Sequence, residues 1–336
     1  MLEVSVDPFL VANVQPNNRE SLRRFVDELA DWASLANCRW SRLSMTEMAC
    51  PALAEFGIYP SLGFLRTAFR DAGLVEYDAE TVALMVDAML RLPSCESISR
   101  IRDVAWDGYS GAFPGDIAPV GLQSAARRTA VLWALLEVPN ARKYVAVSEL
   151  HTAPAVSITR ATSVIVDSFD SEEIAYFDEV RVDLLTPSRC RDFLARLDPC
   201  ELIERVTAET IRYGVTLRIS QLDNFVRLPW ESPSKFALAG TFVKDCAGLH
   251  IVDRATLCRK ILFACANIAT GRNTAASHFL RQNQHGSSPQ ITRGLHRAFR
   301  YSIDDEYRIH YWRGEDGAIT FANVCAHQVF DIAAPD

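Results

Sequence analysis

The spacing of the apolar residues changes near residue 143, and this change constrains the fold of the chain more than any other feature. Before it, apolar side chains recur at helical intervals. The segment 18–37, NRESLRRFVDELADWASLAN, places them on one face of a helix that begins at Asn18. From residue 143, short β-branched runs such as AVSITRATSVIVDSF and EVRVDLL predict strands. We therefore expect an α+β protein whose N-terminal half is mainly helical.

The N-terminal half contains further helical patterns. Residues 45–75 predict two short helices separated by FGIYPS, with Gly73 ending the second, and Asp78 is the expected N-cap of a helix that continues to Leu92. The two short helices resemble a helix-turn-helix loosely. Their few basic residues favour a packed helical hairpin instead, because a DNA reader needs several phosphate contacts.

The length of 336 residues exceeds what a single hydrophobic core usually covers, so two domains are expected. The stretch 103–121 is rich in Gly, Pro and Asp and predicts a long loop, followed by a helix at 122–137. These features give a helical domain at 1–140 and a mixed α and β domain at 141–336, with a basic region at 254–336.

Within the second domain, proline and capping patterns predict helices at 187–197 and 199–213, the latter ended by Gly214. Strands are expected at 215–221 and 236–243. The domain should end in a helix pair and an antiparallel β-hairpin.

Several classes of protein are disfavoured. The chain has no run of 18 apolar residues and no signal-peptide pattern at its start, which predicts a cytoplasmic protein without a membrane partner. Its nine cysteines include no C-x-x-C pair and are expected to be reduced, without zinc. Nucleotide-loop, nucleophile-elbow and H-E-x-x-H motifs are absent, so no cofactor is predicted. Glu149 and His151 alone would suit a small-molecule enzyme, and such a pair is more often structural.

The acid-free window, residues 254–303, has eight basic residues and no Asp or Glu, whereas the other 286 residues carry 27 basic and 42 acidic side chains, a net charge of −15. Arginine outnumbers lysine by 31 to 4 throughout the chain, as a GC-rich genome would produce, so only the placement of the arginines is informative. The segregation favours an anion-facing surface, with RNA or another nucleic acid as partner. The alternative is that the window pairs with acidic residues elsewhere in the fold.

Helical spacing in the window predicts the helix pair, at 273–285 and 288–300, each with one basic face. The basic side chains on these two faces are His278, Arg281, His285, Arg293, His296, Arg297 and Arg300. Arginine binds phosphate through paired hydrogen bonds, and histidine exchanges protons near neutral pH. We therefore expect these faces to bind nucleic acid.

The hairpin follows, with YRIHYWR and AITFANV flanking the turn GEDG. Alternation separates two sets of side chains in its first strand: Tyr307, Ile309 and Tyr311 on one face, and Arg308, His310 and Trp312 on the other. The mixed face, with Arg313 beside it, would stack on a base and contact phosphate. A solvated outer face is the alternative.

The segment DEYRIHYWRGEDGAITFANVCAHQVFDI resembles the C-terminal part of RelE/ParE-type bacterial toxin domains, whose strands carry a Tyr-Arg-apolar-x-Tyr segment, a short turn and a closing strand that ends in His or Arg. The similarity spans these residues and extends more weakly over 245–336. In that family the RelE branch cleaves mRNA on the ribosome without a metal, and the ParE branch acts on gyrase. The resemblance implies roles for Arg308, Tyr311 and His327. The few lysines and the long N-terminal part depart from the family and leave catalysis less supported than the fold.

The sharpest predicted function is a metal-independent endoribonuclease. His310 or His296 would abstract the ribose 2′-hydroxyl proton, Arg308 and Arg297 would hold the phosphate, and His327 or Tyr311 would protonate the leaving oxygen. A window without carboxylates does not suit a two-metal nuclease.

The alternative function is a non-enzymatic interaction or regulatory protein. Its basic C-terminal face would bind a protein partner or its own acidic half, with contacts that weaken as the salt concentration rises.

Overall fold

The computed structural model describes residues 2–6, 9–12, 18–55, 57–110, 127–128, 131–132, 135, 143–146, 156–171, 173–185, 189–230, 236–283 and 288–335. The chain divides into two compact units, an N-terminal unit Met1–Arg196 and a C-terminal unit Leu197–Asp336. Helices dominate the first hundred residues and strands the last sixty, so the α+β class is confirmed. None of the described helices is long and apolar enough to cross a membrane.

The helices of the N-terminal unit agree with the apolar spacing of the sequence. Their bounds are α1 Phe9–Ala12, α2 Arg19–Ala36, α3 Ala49–Glu55, α4 Leu62–Ala72, α5 Ala79–Leu90 and α6 Cys95–Ser99. Asn18 caps α2, whose six apolar stripe residues are all buried. Gly73 ends α4 and Asp78 caps α5, as predicted. In the stretch 122–137, the residues that the structure describes are helical.

A parallel sheet, of which the sequence predicted only the strand that begins at residue 143, lies in this helical unit. It has the strand order β2 (Ser41–Ser44), β1 (Leu2–Val6), β5 (Lys143–Ala146). All five residues of β1 are buried, including the charged Glu3, which pairs with Arg42 at 2.6 Å. A short strand covered on both faces shows no clean alternation, and this is why the apolar pattern did not predict it.

An antiparallel sheet completes the N-terminal unit. Strands β3 (Ile101–Ala105) and β4 (Gly108–Ser110) pair with β6 (Val156–Ser168), and β6 pairs with β7 (Ala175–Leu185). The predicted loop at 103–121 is therefore wrong for residues 103–105 and 108–110, because pairing with β6, some fifty to sixty residues later, overrides the local turn composition. The rest of that loop lies outside the described residues.

The sequence-based boundary after residue 140 falls inside the N-terminal unit. Strand β5 completes the parallel sheet, and helix α7 (Cys190–Arg196) packs on α2, where the rings of Trp32 and Phe193 are 5.7 Å apart. Residues after 140 thus supply elements that the first part of the chain needs to bury its own apolar surface.

The C-terminal unit begins with helices. It has a 3-10 turn at Pro199–Leu202, then α8 (Ala208–Leu222), α9 (Gly240–Gly248) and α10 (Ala255–Thr270), and a second 3-10 turn at Thr274–Ala276. The predicted strand at 215–221 is wrong, since these residues continue α8. Gly214 does not end a helix; a Cβ there would lie 3.0 Å from Leu262 of α10, so glycine permits the close approach of the two helices.

The sheet of the C-terminal unit consists of β8 (Phe236–Leu238), β9 (Ser277–Phe279), β10 (Thr292–Arg293), β11 (His296–Ser302), β12 (Tyr307–Arg313) and β13 (Ile319–Ala326). Its order is β10-β11-β12-β13-β8, with β9 also paired to β11. The predicted β-hairpin is present as β12 and β13. The predicted helix pair at 273–300 is wrong: Gly294 turns with a φ of 56° between β10 and β11, and pairing of β11 with β12 overrides the helical spacing.

The two faces of this sheet have different coverings. On the helix face, Tyr301, Ile309, Tyr311 and Phe321 join α9 and α10 in the main core of the unit. On the tail face, Ala298 and Trp312 pack with the C-terminal tail, residues 327–335. This tail face also carries the polar side chains of Arg300, Arg308 and His310, which alternate with those of the helix face.

Candidate nucleic-acid interface

Three of the four basic residues in the helical part of the acid-free window, residues 254–272, are neutralised within the C-terminal unit. Arg259 pairs with Asp198 at 2.6 Å and Lys260 with Asp304 at 2.8 Å, and Arg272 pairs with Asp223. Arg254 lies over the ring of Tyr307, with its guanidinium carbon 5.8 Å from the ring centre. For the helical part of the window, the pairing alternative that the sequence left open is therefore correct.

The basic residues on the strands differ, because none of them forms an ion pair with another residue that the structure describes. They are Arg281, Arg293, Arg297, Arg300, Arg308 and Arg313. Arg281 donates a hydrogen bond to the carbonyl of Ser288. These guanidiniums have no carboxylate partner among the described residues, and they lie on both faces of the sheet, where external anions can neutralise them.

An aromatic–arginine patch, formed by Phe279, Phe299, Arg297 and Arg313, occupies one edge of the helix face. The ring of Phe299 lies 5.4 Å from that of Phe279 and 5.4 Å from that of the buried Tyr311, stacked on the latter at 17°. The guanidinium carbon of Arg313 is 5.3 Å from the Phe299 ring centre. Phe279 is 50% exposed, so an aromatic surface flanked by cations faces solvent.

Strand register builds this patch. Phe279 of β9, Phe299 of β11 and Tyr311 of β12 are directly opposite one another, and Arg297 is opposite Arg313 in the neighbouring row. Side chains on directly opposed residues share a face and approach within contact distance. The patch is thus a consequence of the pairing of three strands and not of any local sequence motif.

His310 lies on the tail face and is fully buried. Its Nδ1 is 3.0 Å from the backbone carbonyl of Asp331, which can only accept, so Nδ1 carries the proton. Its Nε2 is 3.6 Å from the thiol sulfur of Cys325. Burial chiefly, together with the charges of Arg308 and Arg300, lowers the pKa of His310 to about 4. At neutral pH this imidazole is an uncharged, hydrogen-bonded part of the core.

Arg308 is only 7% exposed, and its Nε and Nη1 are buried without a hydrogen-bond partner among the described residues. Burial and the neighbouring Arg300 both lower its pKa. A buried donor left without a partner costs about 1–3 kcal/mol, and more when it is charged. This cation is therefore poorly accommodated by the atoms around it.

The three histidines expected to share a cleft do not converge. His296 begins β11 near Arg313, at one end of β12, whereas His327 follows β13 near Tyr307, at the other end, where its Nε2 donates to the carbonyl of Asp304 at 2.8 Å. Six residue steps of strand separate these ends, roughly 20 Å. His310 lies between them and is buried. The geometry expected of a His/His catalytic pair is absent from these three residues.

The remaining predicted residues have mixed positions. The hydroxyl of Tyr311 is 2.5 Å from that of Ser277, and Trp312 donates its Nε1 proton to the carbonyl of Ala333 at 2.7 Å. Both rings are buried, so the solvated outer face considered from the sequence is wrong for Trp312. Exposed positions hold His278, Arg293 and Arg297. His285 lies outside the described residues, as do Glu149 and His151.

The sequence did not identify Phe279 and Phe299 as site residues, because helical spacing assigned Phe299 to a buried face. The signal that could have revealed them is the alternation in HRAFRYS, which resembles that of the predicted strand YRIHYWR.

Comparisons with known protein families, with curated proteins and with solved structures gave no match. Among the described residues, no three His, Cys, Asp or Glu side chains are grouped closely enough to hold a metal ion. The geometry of the sheet therefore carries the functional inference.

Proposed function

We propose that the C-terminal unit binds single-stranded nucleic acid on the aromatic–arginine patch, without cleaving it. The observation that supports this proposal most directly is the half-exposed ring of Phe279, which packs against Phe299 at an angle of 55°. The guanidinium of Arg313 lies over Phe299 and lacks a carboxylate partner among the described residues. A base stacks on an exposed aromatic ring for about 1–3 kcal/mol, and neighbouring arginines hold the phosphates.

Single strands are favoured over duplex because the bases of a duplex are already stacked on one another. A flat sheet surface with aromatic side chains accepts unstacked bases, as in the common sheet-based RNA-binding modules. RNA and single-stranded DNA both offer stacking bases and phosphates, so the proposal covers both.

Binding is proposed rather than cleavage because of the histidines. RNA hydrolysis without a metal needs a base and an acid on either side of one phosphate. His310 is buried and uncharged. His296 and His327 lie at opposite ends of β12, too far apart to contact the same phosphate. A RelE-like endoribonuclease would need other groups than these three.

The test is fluorescence anisotropy with a labelled single-stranded RNA, the matched single-stranded DNA and the corresponding duplex, at several salt concentrations and in EDTA. Phe279→Ala should weaken single-strand binding by about 5- to 150-fold, and Phe279→Tyr should retain it. Arg297→Gln should weaken binding and reduce the slope of log K against log salt by about 0.7, the value for one phosphate contact to a single strand.

Arg259→Gln is the matched control, because it removes the same charge from a residue that is already paired with Asp198. Equal affinity for the duplex, or equal weakening by both arginine variants, would contradict the proposal. No binding at all would favour a protein-facing surface, and RNA cleavage in EDTA that His310→Ala abolishes would favour the endoribonuclease.

A further inference from the structure

The buried Arg308 guanidinium on the tail face lacks a counter-ion among the described residues. It is 7% exposed, and its Nε and Nη1 have no hydrogen-bond acceptor among the described residues. Arginine is rarely buried in this way unless a partner satisfies its fork of N–H groups.

The described side chains next to Arg308 do not neutralise its charge, and one of them adds a second positive charge. Arg300 is close enough for its charge to lower the pKa of Arg308. The Cys325 thiol is uncharged, since burial raises its pKa to about 11, and His310 is uncharged because its pKa is about 4. Two carboxylates act on these neighbours, Asp331 on His310 and Asp245 on Cys325, and neither forms an ion pair with Arg308. Asp245 accepts hydrogen bonds from the side chain of Asn323 and the amide of Val324.

Strand register gives this cluster a route to solvent. Arg300 of β11 is opposite His310 of β12 on one side and opposite His278 of β9 on the other. Exposure rises along this row, from the buried His310 through the partly exposed Arg300 to the exposed His278. An anion entering from the β9 edge would meet His278 and then Arg300. Arg308, which is opposite Ser302, lies two residues from His310 on the same face of β12.

We propose that Arg308 and Arg300 form a binding site for one oxyanion of the phosphate class, with His278 at its mouth. Two guanidiniums match a dianion with several acceptor oxygens better than they match a single carboxylate, because each guanidinium presents two parallel donors. The site faces away from the aromatic–arginine patch, on the other side of β11 and β12, and does not depend on that patch.

The ligand has two possible sources with the same chemistry, free inorganic phosphate and the phosphate of a monoester. Calorimetric titration of the full chain with inorganic phosphate, with a nucleoside 5′-monophosphate and with acetate separates them. Tenfold tighter binding of the monophosphate assigns the site to phosphomonoesters, equal binding assigns it to the phosphate group alone, and acetate should bind at least tenfold more weakly than either.

Three variants test the residues. Arg300→Gln, at a partly exposed position that should leave folding intact, is expected to weaken phosphate binding at least tenfold, whereas Arg259→Gln should leave it unchanged. Arg308→Met should abolish binding. In buffer without phosphate it should also melt at the same temperature as the wild type or higher, since it removes an uncompensated buried charge.

A purely structural arginine would give the opposite pattern. A lower melting temperature of Arg308→Met in phosphate-free buffer, together with no saturable binding of phosphate or monophosphate by the wild type, would overturn the proposal. Phosphate binding that Arg300→Gln leaves intact would overturn it too. The Phe279→Ala variant should bind phosphate as the wild type does, so the outcome is independent of nucleic-acid binding.

Discussion

At the scale of single residues, His310 shows what the alternation of apolar and polar residues along a strand predicts and what it does not. The period of two in YRIHYWR correctly separates Tyr307, Ile309 and Tyr311 from Arg308, His310 and Trp312. It does not tell which set is exposed. That depends on the C-terminal tail, where the backbone carbonyls of Asp331 and Ala333 accept hydrogen bonds from His310 and Trp312, each twenty-one residues earlier in the chain.

The buried His310 predicts a pH-dependent stability. Its pKa of about 4 in the fold is below its usual value of 6.5, so the unfolded chain binds more protons between these pH values. The free energy of unfolding of the C-terminal unit should therefore fall as the pH drops from 6.5 toward 4. At pH 5 the loss from this residue is about 2 kcal/mol relative to pH 7.

The measurement is the urea midpoint of the C-terminal unit by pulse proteolysis at pH 7 and pH 5, in the wild type and in His310→Asn. The variant lacks the titrating ring and should lose less stability on acidification, whereas His250→Asn, at an exposed position, should behave as the wild type. Identical losses in all three proteins would mean that His310 is not buried uncharged.

At the scale of elements, helices of the N-terminal unit could be predicted and the strands β9 to β11 could not. The apolar stripe of α2 and its Asn18 cap are local signals, sufficient by themselves. The segment HRAFRYS fits helical and strand spacing equally well. It forms a strand because it pairs with β12, which follows it in the chain, and because Gly294 adopts a positive φ in the turn before it. The error in the helix pair is a case of sheet pairing overriding local preference.

The close approach of α8 and α10 makes a prediction at Gly214. Its Cβ position lies 3.0 Å from Leu262 and 3.1 Å from the carbonyl oxygen of Pro199, which belongs to a turn capped by Asp198. Gly214→Ala should destabilise the C-terminal unit by about 1 kcal/mol, because crowding exceeds the gain in helix propensity.

Gly63 of α4 is the matched control, since nothing lies within 4 Å of its Cβ position. Gly63→Ala, at the second residue of α4, should stabilise the N-terminal unit by at most about 0.5–1 kcal/mol, the value for a helix interior. Thermal unfolding of both variants, followed by circular dichroism, tests the comparison. An equal gain from both substitutions would show that α8 and α10 have room to separate.

At the scale of the whole molecule, two units could be predicted from the chain length, but their boundary could not. Strand β1 pairs with β5, and the two are separated by some 140 residues, a contact that composition does not encode. The C-terminal unit, in contrast, completes its sheet and main core from its own residues.

Fragments cut at the two boundaries should therefore differ. Residues 1–196 should unfold cooperatively on heating, whereas residues 1–140 lack β5 and the β6–β7 hairpin and should not. Residues 197–336 should fold alone. Circular dichroism melts of the three fragments test this, and cooperative unfolding of 1–140 would place the boundary where the sequence pattern does.

The proposed nucleic-acid binding depends above all on a nucleobase that stacks on the aromatic–arginine patch. The most direct measurement is photocrosslinking of the full chain to a single-stranded RNA that carries 5-iodouracil, followed by identification of the crosslinked peptide by mass spectrometry. We predict crosslinks at Phe279 or Phe299, lost in Phe279→Ala and unchanged in Arg259→Gln. Crosslinks confined to other segments, or none at concentrations that saturate binding, would contradict the claim.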